Sequence, residues 1–486
     1  MSGGGRHIRA RQMSTRPPRR SDDPGMTGPS AAQRRTTAPP DLVRLLLVAS
    51  VALITLVAFE ALAASAALPE VSAELDGLRL YPVAAGAPLA AQLVATAVAG
   101  AWADARGPRP VLLLGLAVFP LGLVLAGTAP TMEVLALGRA VQGLGGGLLI
   151  VPLYVLVGAI VPAARQPSFF AWFSAAWVLP ALGGPAVTGL VVEHASWRWV
   201  FLGAAALMVL VSLAFLPLLR HVPGRSAAPG GPVRSLALSA TGAGAAVALL
   251  QVAGSAQASW TIPAVVGAVV VLAVCLPRLL PPGTVRLEAG VPAAVACRAL
   301  LNAAFMTTQT FVPLLLVRER GWSVAEAGFV LAAASVTWAG GAFVQGRVGS
   351  ERGRRVLTWL GPLLLAAGTL ITAGAALPGA SPWLTVPGAA VAGIGIGMVY
   401  PALTVLALTR TPAAQHGEVS AALQVSDSLG AALGLAASGA LVLALIDTGG
   451  TLAYLAGLLL ATAVALLAVL AGARATTPSP RRDSGL

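Results

Sequence analysis

The chain has 486 residues, of which 57% are hydrophobic and only 10% charged, and its mean hydropathy is +0.83. Soluble domains average about 25% charged residues, so this chain cannot cover a water-facing surface and belongs in a membrane. The formal net charge of +13 comes from arginines that fall between apolar segments and in the tails, which indicates membrane topology rather than nucleic-acid binding.

Apolar segments recur along most of the chain, each long enough to cross a bilayer as a helix of roughly 20 residues. The first six predicted helices cover 42–68, 79–102, 109–129, 132–161, 168–192 and 197–219. Two more cover 235–257 and 259–281, after a polar stretch rich in proline and glycine. The last six cover 289–317, 323–346, 355–377, 383–409, 417–446 and 449–473. These segments predict an all-α membrane protein with 14 transmembrane helices.

The order of six, two and six helices predicts two six-helix bundles with a central linker pair. The expected divisions are a disordered Arg-rich tail (1–41), an N-terminal bundle (42–219), a linker (220–288), a C-terminal bundle (289–473) and a second tail (474–486). With the N-terminus inside, thirteen loop arginines lie on the inner side and four on the outer side. Positive residues favour the cytoplasm, so both termini are predicted to be cytoplasmic in a multi-pass protein of the plasma (inner) membrane.

An internal repeat supports this organisation. GAWADARGPRPVL, beginning at Gly100, is matched by GRVGSERGRRVL, beginning at Gly346, an offset of 246 residues. The glycines of helix 4 and helix 12 match at an offset of 250, at positions 143, 145 and 147 against 393, 395 and 397. Transporters are often built from two such halves with the substrate site between them. Closely spaced glycines also predict close helix packing within each half.

Four motifs occur in the order found in a known family. FEALAASAALPEVSAEL, from Phe59, resembles a helix-1 motif in which Glu60 takes the place of a membrane acid. GAWADARGPRP, from Gly100, resembles a signature loop between helices 2 and 3. LGRAVQGLGGG, from Leu137, resembles a helix-4 motif, and WRWVFL, from Trp197, resembles the start of helix 6. Together they resemble the major facilitator superfamily, in particular its fourteen-helix drug:proton antiporter branch.

This resemblance implies a transporter that works by alternating access and exports its substrates. The antiporter motif of helix 5 is degenerate here, with Gly184, Pro185 and Gly189 retained and Pro180 in the place of an earlier glycine. The departure weakens the inference of export. The resemblance also implies a gate formed by Asp104, Arg106 and Arg109, in the loop after helix 2.

Charged residues at membrane depth are costly and indicate function. Glu60 lies eight residues before Leu68, about 12 Å from the predicted outer end of helix 1 at 1.5 Å per residue. Arg139 lies seven residues beyond Met132, about 10 Å from the outer end of helix 4. The two are therefore expected at similar depth. Because the proton affinity of a buried carboxyl depends on a neighbouring arginine, we expect this pair to couple transport to protons; a static ion pair is the alternative.

A second pair of charges has matching depth in the C-terminal bundle. Asp427 in helix 13 and Arg298 in helix 9 each lie about nine residues from the inner side, so Asp427 is a second proton-coupling candidate. Helix 9 also carries a polar and aromatic stripe typical of a cavity wall for amphipathic ligands. The predicted substrate-binding residues are Gln142, Arg298, Asn302, Phe305, Met306, Gln309 and Tyr400. Interhelical packing is the alternative reading of this stripe.

The leading hypothesis is a proton-coupled exporter of small amphipathic compounds, with protons and the lipid bilayer as its other partners. It is expected to be a monomer that uses no metal or cofactor and binds no nucleic acid. A proton-coupled importer of a metabolite or sugar is the alternative within transport. A membrane-embedded enzyme is remote, because all four histidines fall in tails or loops and the adjacent acids Asp22 and Asp23 are in the N-terminal tail.

Overall fold

The computed structural model describes residues 40–162, 165, 169, 172–173, 176–219, 233–255, 259–348, 350–412 and 415–477. Residues 1–39 of the predicted 1–41 tail, residues 220–232 and residues 478–486 lie outside this set. Within the described residues the chain forms fourteen α-helices, as the hydropathy predicted. They are α1 (Pro40–Glu74), α2 (Tyr81–Arg106), α3 (Pro108–Gly127), α4 (Met132–Ile160), α5 (Val178–His194), α6 (Arg198–Leu219), α7 (Val233–Ser255), α8 (Thr261–Leu279), α9 (Val291–Arg320), α10 (Val324–Arg347), α11 (Glu351–Gly374), α12 (Thr385–Thr409), α13 (His416–Gly449) and α14 (Thr451–Ala475).

Thirteen of the described helices are long and apolar enough to cross a membrane. The exception is α5, which has 17 residues; part of the predicted helix 5 before Val178 lies outside the described residues. α8 has the apolar surface expected of a membrane-spanning helix, because large apolar side chains such as Ile262 and Val266 are exposed on it. Such a surface suits lipid and not water.

The predicted helix ends are correct to a few residues except at the end of α1 and at the start of α5, which was predicted at residue 168 and is described from Val178. The sequence predicted an end at Leu68, before Pro69, but α1 continues through Pro69 to Glu74. Pro69 has no N–H and so leaves the Ser65 carbonyl without its helical donor, a loss that a membrane helix tolerates. Ser72 Oγ makes a separate hydrogen bond to the Pro69 carbonyl at 2.8 Å. At the start of α10 the sequence has a capping box, in which Ser323 accepts from the Glu326 amide and the Glu326 carboxylate accepts from the Ser323 amide.

Helices α1–α6 form the N-terminal half and α9–α14 the C-terminal half. In the N-terminal half α2 and α3 pack on α4, and in the C-terminal half α10 and α11 pack on α12 in the same arrangement. The glycines of α4 permit this packing, since a Cβ at Gly143 would overlap Pro88 of α2 and one at Gly145 would overlap Phe119 of α3. The prediction of close approach at the helix-4 glycines is therefore confirmed.

The halves meet along two seams, one between α2 and α13 and one between α5 and α10. Both seams are tight at the end of the molecule where α2 begins and α5 ends, which we call the arginine-poor end. There a Cβ at Gly439 of α13 would overlap Pro82, and one at Gly189 of α5 would overlap Ala325. At the opposite, arginine-rich end, a Cβ at Gly346 of α10 would meet no described atom within 4 Å.

Two hydrogen bonds join the halves at the arginine-poor end. Arg79 pairs with Asp447 of α13 at 3.0 Å, and Tyr81 Oη donates to the Thr310 carbonyl of α9 at 2.7 Å. The Arg79 pair is exposed, whereas Tyr81 is fully buried. The described halves are thus closed against each other at this end.

α7, the first helix of the linker pair, packs against both α2 and α13 at their seam. Its Gln251 is buried between them: a Cβ at Gly86 of α2 would overlap the amide, and Nε2 lies 3.4 Å from the Ala432 carbonyl of α13. α8 packs on the outer side of α7. The linker pair is therefore part of the membrane bundle and not a separate appendage.

Candidate functional site

Glu60, Arg139 and Gln142 form one buried cluster between α1 and α4. Arg139 Nη1 donates to Glu60 Oε1, and Gln142 Nε2 donates to Glu60 Oε2. Arg139 Nη1 also donates to Gln142 Oε1 at 2.6 Å. Arg139 and Gln142 stand three residues apart, so one helical face presents both donors to the carboxylate. Glu60 and Arg139 meet as their predicted depths indicated, although α1 ends six residues later than predicted.

The cluster is closed off from water in this conformation. Glu60 is 2% exposed and Arg139 is 7% exposed, and both carboxylate oxygens of Glu60 have a donor. Within the described residues Arg139 Nε is a buried donor without a partner. The sequence predicted Gln142 as a substrate contact, whereas the structure places its amide between the acid and the arginine. Its spacing from Arg139 was the signal that could have indicated this.

A second buried cluster lies in the C-terminal half. Arg298 of α9 forms a two-pronged ion pair with Asp427 of α13, in which Nε donates to Oδ1 at 2.8 Å and Nη2 donates to Oδ2. Asn302 Nδ2 donates to Asp427 Oδ1 at 3.1 Å. Arg298 Nη1 donates to Thr404 Oγ1 at 2.7 Å, and the guanidinium carbon lies 3.6 Å from the centre of the Tyr400 ring. The structure therefore brings together four of the predicted residues and adds Thr404.

Three aromatic rings continue from this cluster. Trp338 of α10 lies 5.6 Å from Tyr400 and 5.1 Å from Phe305, measured between ring centres. Met306 of α9 is half-buried and packs against the apolar core of the C-terminal half, to which Phe305 also belongs. Gln309, about one helical turn further along α9, is buried. Trp338 was not among the predicted residues, because α10 carries no polar stripe that would indicate which of its faces points inward.

The helix-5 motif lies at the seam with α10 rather than in either charged cluster. Pro185 lies against Gly328 and Gly189 against Ala325, while a Cβ at Gly184 would lie 3.6 Å from the Phe59 ring of α1. This motif therefore belongs to the contact between the halves at the arginine-poor end.

The predicted gate residues lie at the arginine-rich end. Arg106 ends α2, Arg109 lies in the first turn of α3, and both are exposed. The side chain of Asp104 lies outside the described residues. Among the groups that the structure describes, no three His, Cys, Asp or Glu side chains are placed to hold a metal ion.

Comparison with known proteins gives the family. The sequence matches the model of the Major Facilitator Superfamily over residues 48–435 and 295–485. A probable multidrug-efflux transporter of Mycobacterium tuberculosis is 30% identical over 430 residues, which cover 84% of this chain and 89% of that protein. A triacylglyceride transporter of Mycolicibacterium hassiacum is 29% identical over 393 residues, which cover 74% of this chain and 71% of that protein.

Solved structures support the same fold. A POT family transporter in complex with a thioalcohol-conjugated peptide superposes with a TM-score of 0.65, at 18% identity, over 89% of this chain and 95% of that one. A peptide transporter POT in complex with sulfate gives 0.64 over 87% and 93%. At this identity the likeness concerns the fold alone. Both the match to the family and the bundle of fourteen helices lead to one conclusion: the chain belongs to the Major Facilitator Superfamily and is a multi-pass membrane transporter, not an enzyme.

Proposed function

We propose that the protein is a proton-coupled secondary transporter that exports small amphipathic compounds across the plasma membrane by alternating access. The observation that carries this proposal is the buried cluster of Glu60, Arg139 and Gln142. A carboxylate held between two donors in a greasy interior binds a proton only if those bonds rearrange. Proton uptake by Glu60 would therefore be linked to movement of α1 relative to α4.

The driving force is sufficient for export. One proton moving down 100 mV supplies about 2.3 kcal/mol, and each pH unit adds about 1.4 kcal/mol. Either contribution supports a gradient of more than about tenfold for a neutral substrate at one-to-one exchange, since 1.4 kcal/mol corresponds to a factor of ten.

The tight contacts at the arginine-poor end support the alternating-access part of the proposal. Residues 42–219 and 289–473 would rock as two bundles about the two seams, with the linker of 220–288 moving with them. We assign the arginine-poor end to the outside, and both termini to the cytoplasm, on the thirteen-to-four arginine bias. In the opposite state Asp104, Arg106 and Arg109 would close the cytoplasmic side.

The direction of transport is proposed from two sources, the helix-1 and helix-4 motifs and the relative described as a probable multidrug-efflux transporter. Import of a metabolite or sugar is the alternative. The rings of Tyr400, Trp338 and Phe305, which continue from the C-terminal cluster, favour an amphipathic cargo over a hydrophilic one. The proposed cargo contacts are the α9 stripe with Tyr400, in a protein that acts as a monomer.

The decisive experiment is substrate-dependent proton flux in proteoliposomes with an imposed pH gradient. Glu60→Gln keeps the size of the side chain and removes its titration, so we expect proton-coupled transport to be abolished while expression and folding are retained. Undiminished proton flux in Glu60→Gln would rule out the proposed coupling role.

Glu74→Gln is the matched control, because Glu74 lies on the same helix and pairs with Arg198 but is 47% exposed at the arginine-poor end. We expect this variant to transport like the wild type. Measuring flux from vesicles of both orientations also gives the direction, and accumulation only on the proposed cytoplasmic side would overturn export.

A further inference from the structure

The guanidinium of Arg298 is surrounded by groups that together bind a flat cation. The Asp427 carboxylate accepts two bonds along one edge, Thr404 Oγ1 accepts at 2.7 Å, and the Tyr400 ring covers one face at 3.6 Å. A carboxylate fork matches the geometry of a planar guanidinium, and an aromatic face attracts a delocalised positive charge. These three partners would accept such a group from any molecule that delivers it.

The cluster does not join the two halves, because all of its members lie in the C-terminal half, on α9, α12 and α13. A contribution to folding stability does not account for the ion pair between Arg298 and Asp427 either. The side chains of Arg298 and Asp427 are 6% and 11% exposed, and burying two charges costs about as much as their attraction returns. Charges kept at membrane depth in this way indicate a role in binding or transport.

The surroundings of the cluster suit the rest of an amphipathic molecule. Trp338 and Phe305 continue the aromatic surface from Tyr400: the ring centres of Tyr400 and Trp338 are 5.6 Å apart, and those of Trp338 and Phe305 are 5.1 Å apart. Trp338 and Tyr400 are only partly buried, so part of this aromatic surface is free of protein contact. A ligand with a cationic head and an apolar body could therefore place its body on the rings and its head at Asp427.

We propose that Asp427, Tyr400 and Thr404 form a substrate site for the flat cationic group of an amphipathic compound, and that Arg298 occupies this site when no substrate is bound. The proposal rests on the proposed function and adds the class of cargo: an apolar compound bearing a guanidinium or amidinium group. Binding exchanges one monocation for another at Asp427, so the charge of the carboxylate stays balanced while the guanidinium of Arg298 moves aside.

The test is equilibrium binding to the full-length protein in lipid nanodiscs. The probes are phenethylguanidinium and phenethylurea, which share a shape and differ in charge. We expect the wild type to bind the guanidinium at least about tenfold more tightly than the urea, the factor expected for a desolvated cation on an aromatic face. Asp427→Asn removes this preference, whereas Arg298→Gln strengthens guanidinium binding because the internal competitor is gone.

A wild type that binds both probes equally would overturn the proposal, as would an Asp427→Asn variant that keeps the preference. If Arg298→Gln fails to fold because it leaves Asp427 unpaired, Tyr400→Phe and Tyr400→Leu still decide the matter. Phe keeps the aromatic face and should retain the preference, while Leu should lose it; equal binding by the two would contradict the site. Binding is measured without a pH gradient, so this result and the proton-flux result can fail separately.

Discussion

Within the described residues, one nitrogen of Arg139 makes both of its hydrogen bonds to the cluster. Nη1 donates both to Glu60 and to Gln142, while Nε has no partner among the described residues. One small rotation of the guanidinium would therefore break both bonds at once. If Glu60 loses its charge, the bond from Nη1 to the Gln142 amide oxygen still connects Arg139 to the cluster.

This geometry makes a graded prediction for substitutions of Arg139. Arg139→Ala leaves Glu60 as an unpaired buried carboxylate, at a cost of about 3–5 kcal/mol, and should abolish proton-coupled transport. Arg139→Lys keeps a positive charge with several donors and should transport at a reduced rate. Substrate-dependent proton flux measures both variants. Arg318→Lys, at an arginine 43% exposed, is the control, and wild-type rates in both Arg139 variants would exclude a coupling role.

The sequence was informative about side chains wherever a charge stood at membrane depth. Counting residues from the predicted helix ends was sufficient to expect that Glu60 would meet Arg139 and that Asp427 and Arg298 would share a depth. It could not place Trp338 or identify Thr404 as a partner of Arg298. Both lie on helices that are apolar nearly all round, so nothing in their sequences fixes the rotation of the helix about its axis.

At the scale of elements, hydropathy predicted the number and order of helices because each span must satisfy its own backbone in lipid. The end of α1 was wrong because proline is a weaker stop signal in a membrane than in water. The contacts between helices were predictable only where glycines recur, as in α4. The seam partners α2 with α13 and α5 with α10 could not be predicted from one sequence.

The α5–α10 seam gives a prediction that isolates one contact. Gly189→Ala places a methyl group against Ala325, whereas Gly183→Ala, on the same helix, meets no described atom within 4 Å. Both substitutions gain the same helix propensity of about 1 kcal/mol, so their difference reports the contact alone. We expect only Gly189→Ala to open the arginine-poor end, seen as a longer distance between spin labels at Glu193 and Phe329. Equal distances in the two variants would show that this seam tolerates expansion.

At the scale of the whole molecule, the described residues of the two halves are in tight contact at the arginine-poor end and leave space at Gly346, at the opposite end. Alternating access requires this asymmetry to reverse during each cycle. The exposed pair of Arg79 and Asp447 crosses the closed end, and an exposed pair of this kind contributes only about 0–1 kcal/mol. The pair is therefore weak enough to break in every cycle.

Fixing that end should stop transport. We expect a variant with Arg79→Cys and Asp447→Cys, joined by a short reagent that forms a disulfide bond with each thiol, to lose substrate flux and to regain it after those disulfides are reduced. The native Cys275 and Cys297 are both buried, so they should react little. Each single-cysteine variant treated with the same reagent is the control. Full flux in the cross-linked protein would show that this end does not need to open.

The position of α7 has a consequence for molecules that arrive from within the lipid. One flank of the protein, at α2 and α13, has an additional helix laid across it, whereas α5 and α10 meet each other directly. A hydrophobic compound that diffuses laterally through the leaflet would meet α7 before the α2–α13 seam, whereas it would meet the α5–α10 seam directly. The linker pair would thus make the α5–α10 seam the preferred site of lateral entry from the lipid.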